Sequence, residues 1–87
     1  MLAIIDGRYS RDKVELHTHL QEVFQFPDYY GKNLDALYDC LSTMSEDCDV
    51  IITYGEMIEE NLHEYALALL RTFQDCEKVN PHIHLYY

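Results

Sequence analysis

The stretch Val50-Ile51-Ile52-Thr53-Tyr54, closed by Gly55, decides the fold of this chain. Its β-branched and aromatic residues are typical of a buried strand, and a strand commonly ends at a glycine. Helical patterns stand on both sides of this strand in the sequence. Strands separated by helical crossovers pair in parallel, so the chain is predicted to be an α/β protein.

Two helices and a first strand are predicted before this stretch. Residues 13–24 place apolar side chains at helical spacing, with charged residues outside that face. Residues 25–32 contain proline and glycine and are interpreted as a loop, after which Asn33 is a good N-cap for a helix to about Ser42. Residues 1–6 are apolar and end at an Asp-Gly turn signal, which predicts a buried strand.

The remaining elements follow the Val50 strand. Residues 56–60 are compatible with a short helical turn, and Asn61 with Glu64 resembles a capping box for the last helix. Asn80-Pro81 stops that helix, and the alternating residues 82–87 predict a third strand. The order of elements therefore predicts a three-stranded parallel sheet packed by helices, with right-handed connections.

Length and composition restrict the functions that this chain can have. Its 87 residues, 48% of them hydrophobic, suffice for one folded core, so residues 1–87 are expected to form a single domain. The net charge of −10 disfavours binding to nucleic acid and to an anionic membrane, and favours a cation or a cationic protein as partner. The three cysteines lack C-x-x-C spacing, which predicts reduced thiols. The chain has no long apolar run and no signal peptide, so a cytoplasmic protein is expected. No cofactor is predicted.

The negative charge is concentrated in the middle of the chain. Residues 33–70 contain no Lys or Arg, so their carboxylates have no internal cation to pair with. Such a stretch serves either as a solvated face that keeps a protein soluble or as a surface for a cation. The nine carboxylates are Asp35, Asp39, Glu46, Asp47, Asp49, Glu56, Glu59, Glu60 and Glu64.

The helix after Asn33 separates its apolar and acidic residues. Its leucines and Tyr38 fall within an arc of about 100°, whereas Asp35, Asp39 and Ser42 share a separate arc of about 60°. Asp35 lies in the first turn, where the helix dipole favours it, but Asp39 faces Asp35 at i,i+4 and repels it. This outward pair is either an ordinary wet face or a site for an external cation.

Tyr29-Tyr30-Gly31 precedes this helix and is a candidate recognition loop. Tyrosine offers a large contact area with little entropy to lose, which suits a protein-binding surface. The alternative is that one or both rings fill a gap beneath the loop, and for Tyr30 both interpretations stay open.

Catalysis and metal binding find little support in the sequence. The Asp35/Asp39 pair could in principle hold a metal or act in acid–base chemistry, but no His, Ser or Cys stands at catalytic spacing beside it. His17 and His19 point to different faces of their helix, and His82 and His84 share a strand face without a third ligand. We therefore predict that the chain is not an enzyme and holds no metal.

Residues 27–41 read P-D-Y-Y-G-K-N-L-D-A-L-Y-D-C-L, a pattern that resembles the signature of the barstar family of intracellular ribonuclease inhibitors. The resemblance continues more weakly over the rest of the chain. It implies a small α/β fold with a three-stranded parallel sheet, and an inhibitor whose second helix and preceding loop plug the active site of a barnase-type ribonuclease. The implied partner is a basic, secreted type of ribonuclease, bound in a 1:1 complex by a protein that is monomeric when free.

The resemblance also implies roles for individual residues. Asp39 would lie where the substrate phosphate binds, Asp35 would meet a second cation, and Tyr29 would pack on the catalytic histidine. Asp75 lies near an acidic contact of the family on the last helix. The implied partner-binding residues are Tyr29, Tyr30, Gly31, Asn33, Leu34, Asp35, Tyr38, Asp39, Ser42, Thr43, Met44 and Asp75.

Four positions depart from the family pattern. Thr43 and Met44 stand where a glycine and an aromatic residue are common, Tyr38 replaces a tryptophan, and Cys48 replaces a proline. These changes affect the rim of the implied interface, and so concern the identity of the partner. A barstar-like module that binds a different cationic toxin or protein is the alternative function, with a small acidic metal-binding enzyme as the second alternative.

Overall fold

A computed structural model describes residues 1–87 and has the predicted order of strands and helices. The strands are parallel and adjacent in the order β1-β2-β3, so the prediction of a three-stranded parallel sheet is confirmed. The elements are β1 Leu2–Asp6, α1 Lys13–Phe24, α2 Leu34–Ser42, β2 Cys48–Thr53, α3 Gly55–Leu62, α4 Glu64–Val79 and β3 Ile83–Tyr86.

The helices cover one face of the sheet. Right-handed crossovers between strands in sequential order place every connection on the same side. Accordingly Ala3 and Ile5 of β1 are fully buried, whereas Leu2 and Ile4, which alternate with them, stay exposed on the other face. The buried side chains form one hydrophobic cluster with contributions from every element, including Leu37 and Leu41 of α2. The apolar side of α2 is thus anchored, which fixes the direction of its acidic side.

The second strand begins two residues earlier than Val50 and ends before Tyr54. Cys48 donates its backbone N–H to the carbonyl of His82 at 2.8 Å, and Asp49 donates to the carbonyl of Met1 at 2.9 Å. These bonds to both neighbouring strands draw the polar residues before Val50 into the sheet. Tyr54 instead takes a left-handed conformation with φ of 53° and caps α3.

The segment after β2 is a full helix, and the predicted capping box is wrong. Residues 55–62 form α3, so Asn61 lies inside that helix and donates its Nδ2 to Ser10 Oγ at 3.2 Å. His63 is the N-cap of α4 and makes no side-chain capping bond. Only His63 separates α3 from α4, so α4 begins two positions later than a cap at Asn61 predicts.

Candidate functional site

Helix α2 presents Asp35 and Asp39 to solvent from a well-anchored backbone. Asn33 caps the helix, since its Oδ1 accepts the backbone N–H of Ala36 at 2.8 Å. Leu37 and Leu41 on the opposite side are fully buried, whereas both aspartates are exposed. A carboxylate on such a helix has a defined position before any partner arrives.

Neither aspartate is neutralised within the protein. The four ion pairs involve Glu46, Asp6, Glu15 and Asp47 as their acidic partners. No hydrogen bond engages the carboxylate of Asp35 or Asp39; the hydroxyl of Thr43 donates instead to the Asp39 backbone carbonyl at 2.7 Å. Both carboxylates therefore keep their full acceptor capacity for an external cation.

Lys32 is the one cation in the predicted partner-binding segment, and it points elsewhere. Its Nζ donates to the hydroxyl of Thr18 on α1 at 3.2 Å, and its backbone has a positive φ of 52°. The neighbouring Gly31 leaves little space, because a Cβ built there would lie 3.3 Å from the Cβ of Ala36. The loop consequently meets the start of α2 in close contact without masking the two aspartates.

The two tyrosines of the loop have opposite environments. The Tyr29 side chain is 86% exposed, whereas Tyr30 is only 5% exposed and packs in the core. The Tyr30 ring lies 4.8 Å from that of Phe26, and its backbone N–H donates to the Pro27 carbonyl at 2.9 Å. Of the two interpretations of Tyr30, its burial favours the one in which the ring fills the space beneath the loop, which leaves little of the side chain for contact with a partner.

A buried histidine ties this loop to the core. The Tyr30 hydroxyl is hydrogen-bonded to Nδ1 of His17 at 2.7 Å, and the Tyr65 hydroxyl to Nε2 at 2.6 Å. A neutral imidazole donates one of these bonds and accepts the other, which satisfies both ring nitrogens. Burial, and secondly the charge of Lys13, lowers the pKa of His17 below its ordinary 6.5, while burial raises the pKa of both tyrosines.

The end of α2 is held by Asn80. Its Nδ2 donates to the carbonyls of Leu41 at 2.8 Å and Met44 at 2.9 Å, and its Oδ1 accepts the N–H of His82. Leu41 lies in the last turn of α2 and its carbonyl also accepts the backbone N–H of Met44, which follows the helix. Asn80 therefore connects α2 to the start of β3, a role beyond its predicted one as a helix stop.

The other implied contact residues differ in exposure. Gly31, Asn33 and Thr43 are exposed, as is Asp75 on α4. The side chains of Leu34, Tyr38, Ser42 and Met44 are half-buried, and Leu34, Tyr38 and Met44 pack partly against the core. Asp75 precedes Cys76, whose Sγ lies 4.0 Å from the Tyr38 carbonyl, so α4 approaches α2 at this point.

Two supporting residues have no sequence signal that would identify them. His17 reaches Tyr30 and Tyr65 across separations of 13 and 48 residues, and Asn80 reaches Leu41 across 39. Such long-range pairs follow from the packing of helices on the sheet. A buried polar residue within an apolar helix face, as His17 is, offers only the general hint that it has hydrogen-bond partners.

The arrangement of the His, Cys, Asp and Glu side chains bears on the alternative of a metal-binding enzyme. No group of three or more His, Cys, Asp or Glu side chains is arranged to hold a metal ion. His19 accepts the N–H of Asp6 at 2.9 Å, away from buried His17, and His82 is paired with Asp47 at 2.8 Å. None of the helices combines the length and the apolar character that crossing a bilayer requires.

Comparison with known proteins extends over nearly the whole chain. The family described as "Barstar (barnase inhibitor)" matches residues 1–84. A relative named "Putative ribonuclease inhibitor YrdF", from Bacillus subtilis (strain 168), is 37% identical over 76 residues. That alignment covers 86% of this chain and 84% of the relative.

Proposed function

This chain belongs to the barstar family, and on that premise we propose that it inhibits a ribonuclease by placing the acidic side of α2 in the enzyme's active site. The observation that carries the proposal is the pair of exposed aspartates without internal cations on a capped, core-anchored helix. The relative's name as a ribonuclease inhibitor supports the same role.

The proposed mechanism is imitation of a phosphate. A ribonuclease binds RNA through cationic groups in its cleft, and a carboxylate offers those groups the same negative charge and acceptor oxygens. In our proposal Asp39 takes the phosphate position and Asp35 meets a second cation. Since a carboxylate contains no phosphodiester bond, the enzyme cannot cleave it.

The loop supplies the apolar part of the proposed contact. Tyr29 is largely exposed beside α2 and is proposed to pack on the catalytic histidine of the enzyme. Tyr30, through His17, keeps the backbone of this loop in place. Gly31, Asn33, Tyr38, Thr43 and Asp75 are proposed to line the remaining contact, with Leu34, Ser42 and Met44 contributing their accessible atoms.

Long-range charge is proposed to accelerate the encounter. The net charge of −10 and the cation-free segment 33–70 create a negative field that complements a basic enzyme. Rapid capture suits an immunity protein that protects the cytoplasm of a cell from the toxin that the same cell makes. We accordingly propose a cytoplasmic protein that is monomeric when free and binds a secreted, barnase-type ribonuclease in a 1:1 complex.

Titration of ribonuclease activity tests this proposal. Purified barnase-type enzyme is mixed with increasing amounts of the chain, and residual cleavage of a fluorogenic RNA is measured. We expect loss of activity with an endpoint at one inhibitor per enzyme, and relief of inhibition by excess RNA during short incubations. Full activity at a large molar excess would reject this class of target and favour a different cationic toxin.

A further inference from the structure

A second recessed surface lies away from the acidic side of α2. An open groove of about 1080 Å³ runs between α3, the first half of α4 and the end of β2. Pockets for small molecules typically occupy about 300–1,000 Å³, so this groove lies at the upper end of that range. None of the residues proposed to bind the ribonuclease lines it.

The floor of the groove is apolar and incompletely covered. Ile52 of β2 and Leu67 and Leu70 of α4 lie along it, and Tyr87 closes one side. Leu67 is 51% exposed and Tyr87 is 76% exposed, although the adjacent Leu69 is buried in the core. Contiguous exposed apolar surface with a polar border is typical of a protein-interaction site.

The border of the groove is negative. Glu56, Glu59, Glu60 and Glu64 line it, all four are exposed, and none takes part in an ion pair of the protein. Glu56 and Glu60 repel each other as a like-charged i,i+4 pair on α3. A partner with cationic side chains around an apolar stripe would pair its cations with these glutamates and bury the apolar floor at the same time.

Arg8 and Arg71 of the protein do not neutralise the glutamates of this border. Arg8 stacks over the ring of Tyr54, 4.6 Å from its centroid, and binds the carboxylate of Asp6 at 2.8 Å. Arg71 follows the last leucine of the floor but does not line the groove. A second copy of this chain is a poor occupant, because it would bring another charge of −10 to an acidic border.

We infer that this groove binds a cationic amphipathic helix of a partner protein, with apolar side chains at i, i+3 or i+4 and i+7 on the floor and Lys or Arg over the glutamates. This surface adds to the proposed ribonuclease contact and does not depend on it. α2 packs against the second half of α4, as its contacts with Cys76 and Asn80 show, whereas the groove uses the first half.

A designed peptide pair tests the inference. One peptide, about five helical turns long, carries leucines at the stated spacing and lysines elsewhere, and the other has the same composition in scrambled order. Each is titrated into the 15N-labelled full chain, and amide shifts are followed by NMR. We expect the patterned peptide to bind at least about tenfold more tightly than the scrambled one and to shift amides of residues 52–70.

Matched variants separate the groove from general charge attraction. Leu67→Gln is expected to weaken the patterned peptide about five- to tenfold, whereas Val79→Gln, at another exposed position of α4, leaves binding unchanged. The double variant Glu56→Gln/Glu60→Gln is expected to weaken binding more than Glu22→Gln/Asp49→Asn, which removes the same charge elsewhere. Both glutamine variants on α4 replace exposed side chains, and their NMR spectra report whether the fold is intact.

Three results would overturn the inference. Equal affinity for both peptides would mean that the acidic charge alone attracts them. Amide shifts confined to α2 would place the peptide on the other surface. Wild-type affinity in Leu67→Gln, or in the smaller change Leu67→Ala, would show that the apolar floor takes no part.

Discussion

Removal of the Tyr30 hydroxyl tests how the recognition loop is held. In Tyr30→Phe the ring still fills its space, but Nδ1 of fully buried His17 loses its 2.7 Å partner. A buried polar atom left without a partner costs about 1–3 kcal/mol. We therefore expect a loss of about 2 kcal/mol of stability, equivalent to a fall in Tm of roughly 8–16 °C for a domain of this size.

Two neighbouring tyrosines provide graded controls. Tyr65→Phe removes the other hydrogen bond of His17, but Tyr65 is only half-buried, so water can replace the hydroxyl and we expect about 1 kcal/mol. Tyr29→Phe alters an 86% exposed side chain and is expected to cost less than about 0.5 kcal/mol. The predicted order of cost is thus Tyr30, Tyr65, Tyr29.

Urea unfolding followed by circular dichroism measures these differences, provided that the m-value is the same in all variants. A double variant with both Tyr30→Phe and Tyr65→Phe then shows whether the two bonds are coupled through the imidazole. A Tyr30→Phe protein as stable as the Tyr29→Phe control would refute the bridging role assigned to His17.

Three further predictions concern the support of the fold and of α2. Because burial lowers the pKa of His17, the unfolded chain binds a proton at this residue at a higher pH than the folded chain does. The free energy of unfolding should therefore hold above about pH 6.5 and fall below it. The His17→Gln variant should reduce this dependence on pH when unfolding is measured at several pH values. Gly7→Ala should cost at least about 3 kcal/mol in urea unfolding, since a Cβ there would overlap the Tyr54 carbonyl oxygen, whereas Gly55→Ala, with its nearest contact at 3.9 Å, should be close to neutral. Asn80→Ala removes the bonds to the Leu41 and Met44 carbonyls at the end of α2; it should cost about 2 kcal/mol and speed hydrogen exchange there. The control Asn61→Ala removes only the bond to Ser10 and should leave hydrogen exchange at the end of α2 unchanged.

Local signals in the sequence were sufficient for most of the fold. The Asn33 cap, the apolar arc of α2 and the β-branched run at Val50 each depend on neighbours in the chain, and each predicted element exists. The errors lie where distant contacts decide. Cys48 and Asp49 join β2 because two other strands supply hydrogen-bond partners, which the polar local sequence does not indicate.

In the candidate site, too, local sequence predicts some features and distant contacts decide others. Helical periodicity placed Asp35 and Asp39 together on the outer side, because that depends only on the geometry of one helix. The orientation of the two adjacent tyrosines could not be read in this way, since an irregular loop has no fixed period. Tyr30 turns inward because His17, 13 residues earlier, offers it a buried partner.

The dissociation constant of Asp39→Ala tests the phosphate-mimicry claim most directly. With a barnase-type ribonuclease, loss of one partner of a buried charge pair is expected to cost about 3–5 kcal/mol, or about a hundredfold or more in affinity. Glu60→Ala removes an equal charge from an exposed position on α3 and should change affinity only a few fold. If the two variants bound equally well, the acidic side of α2 would not be the part of the protein that enters the cleft.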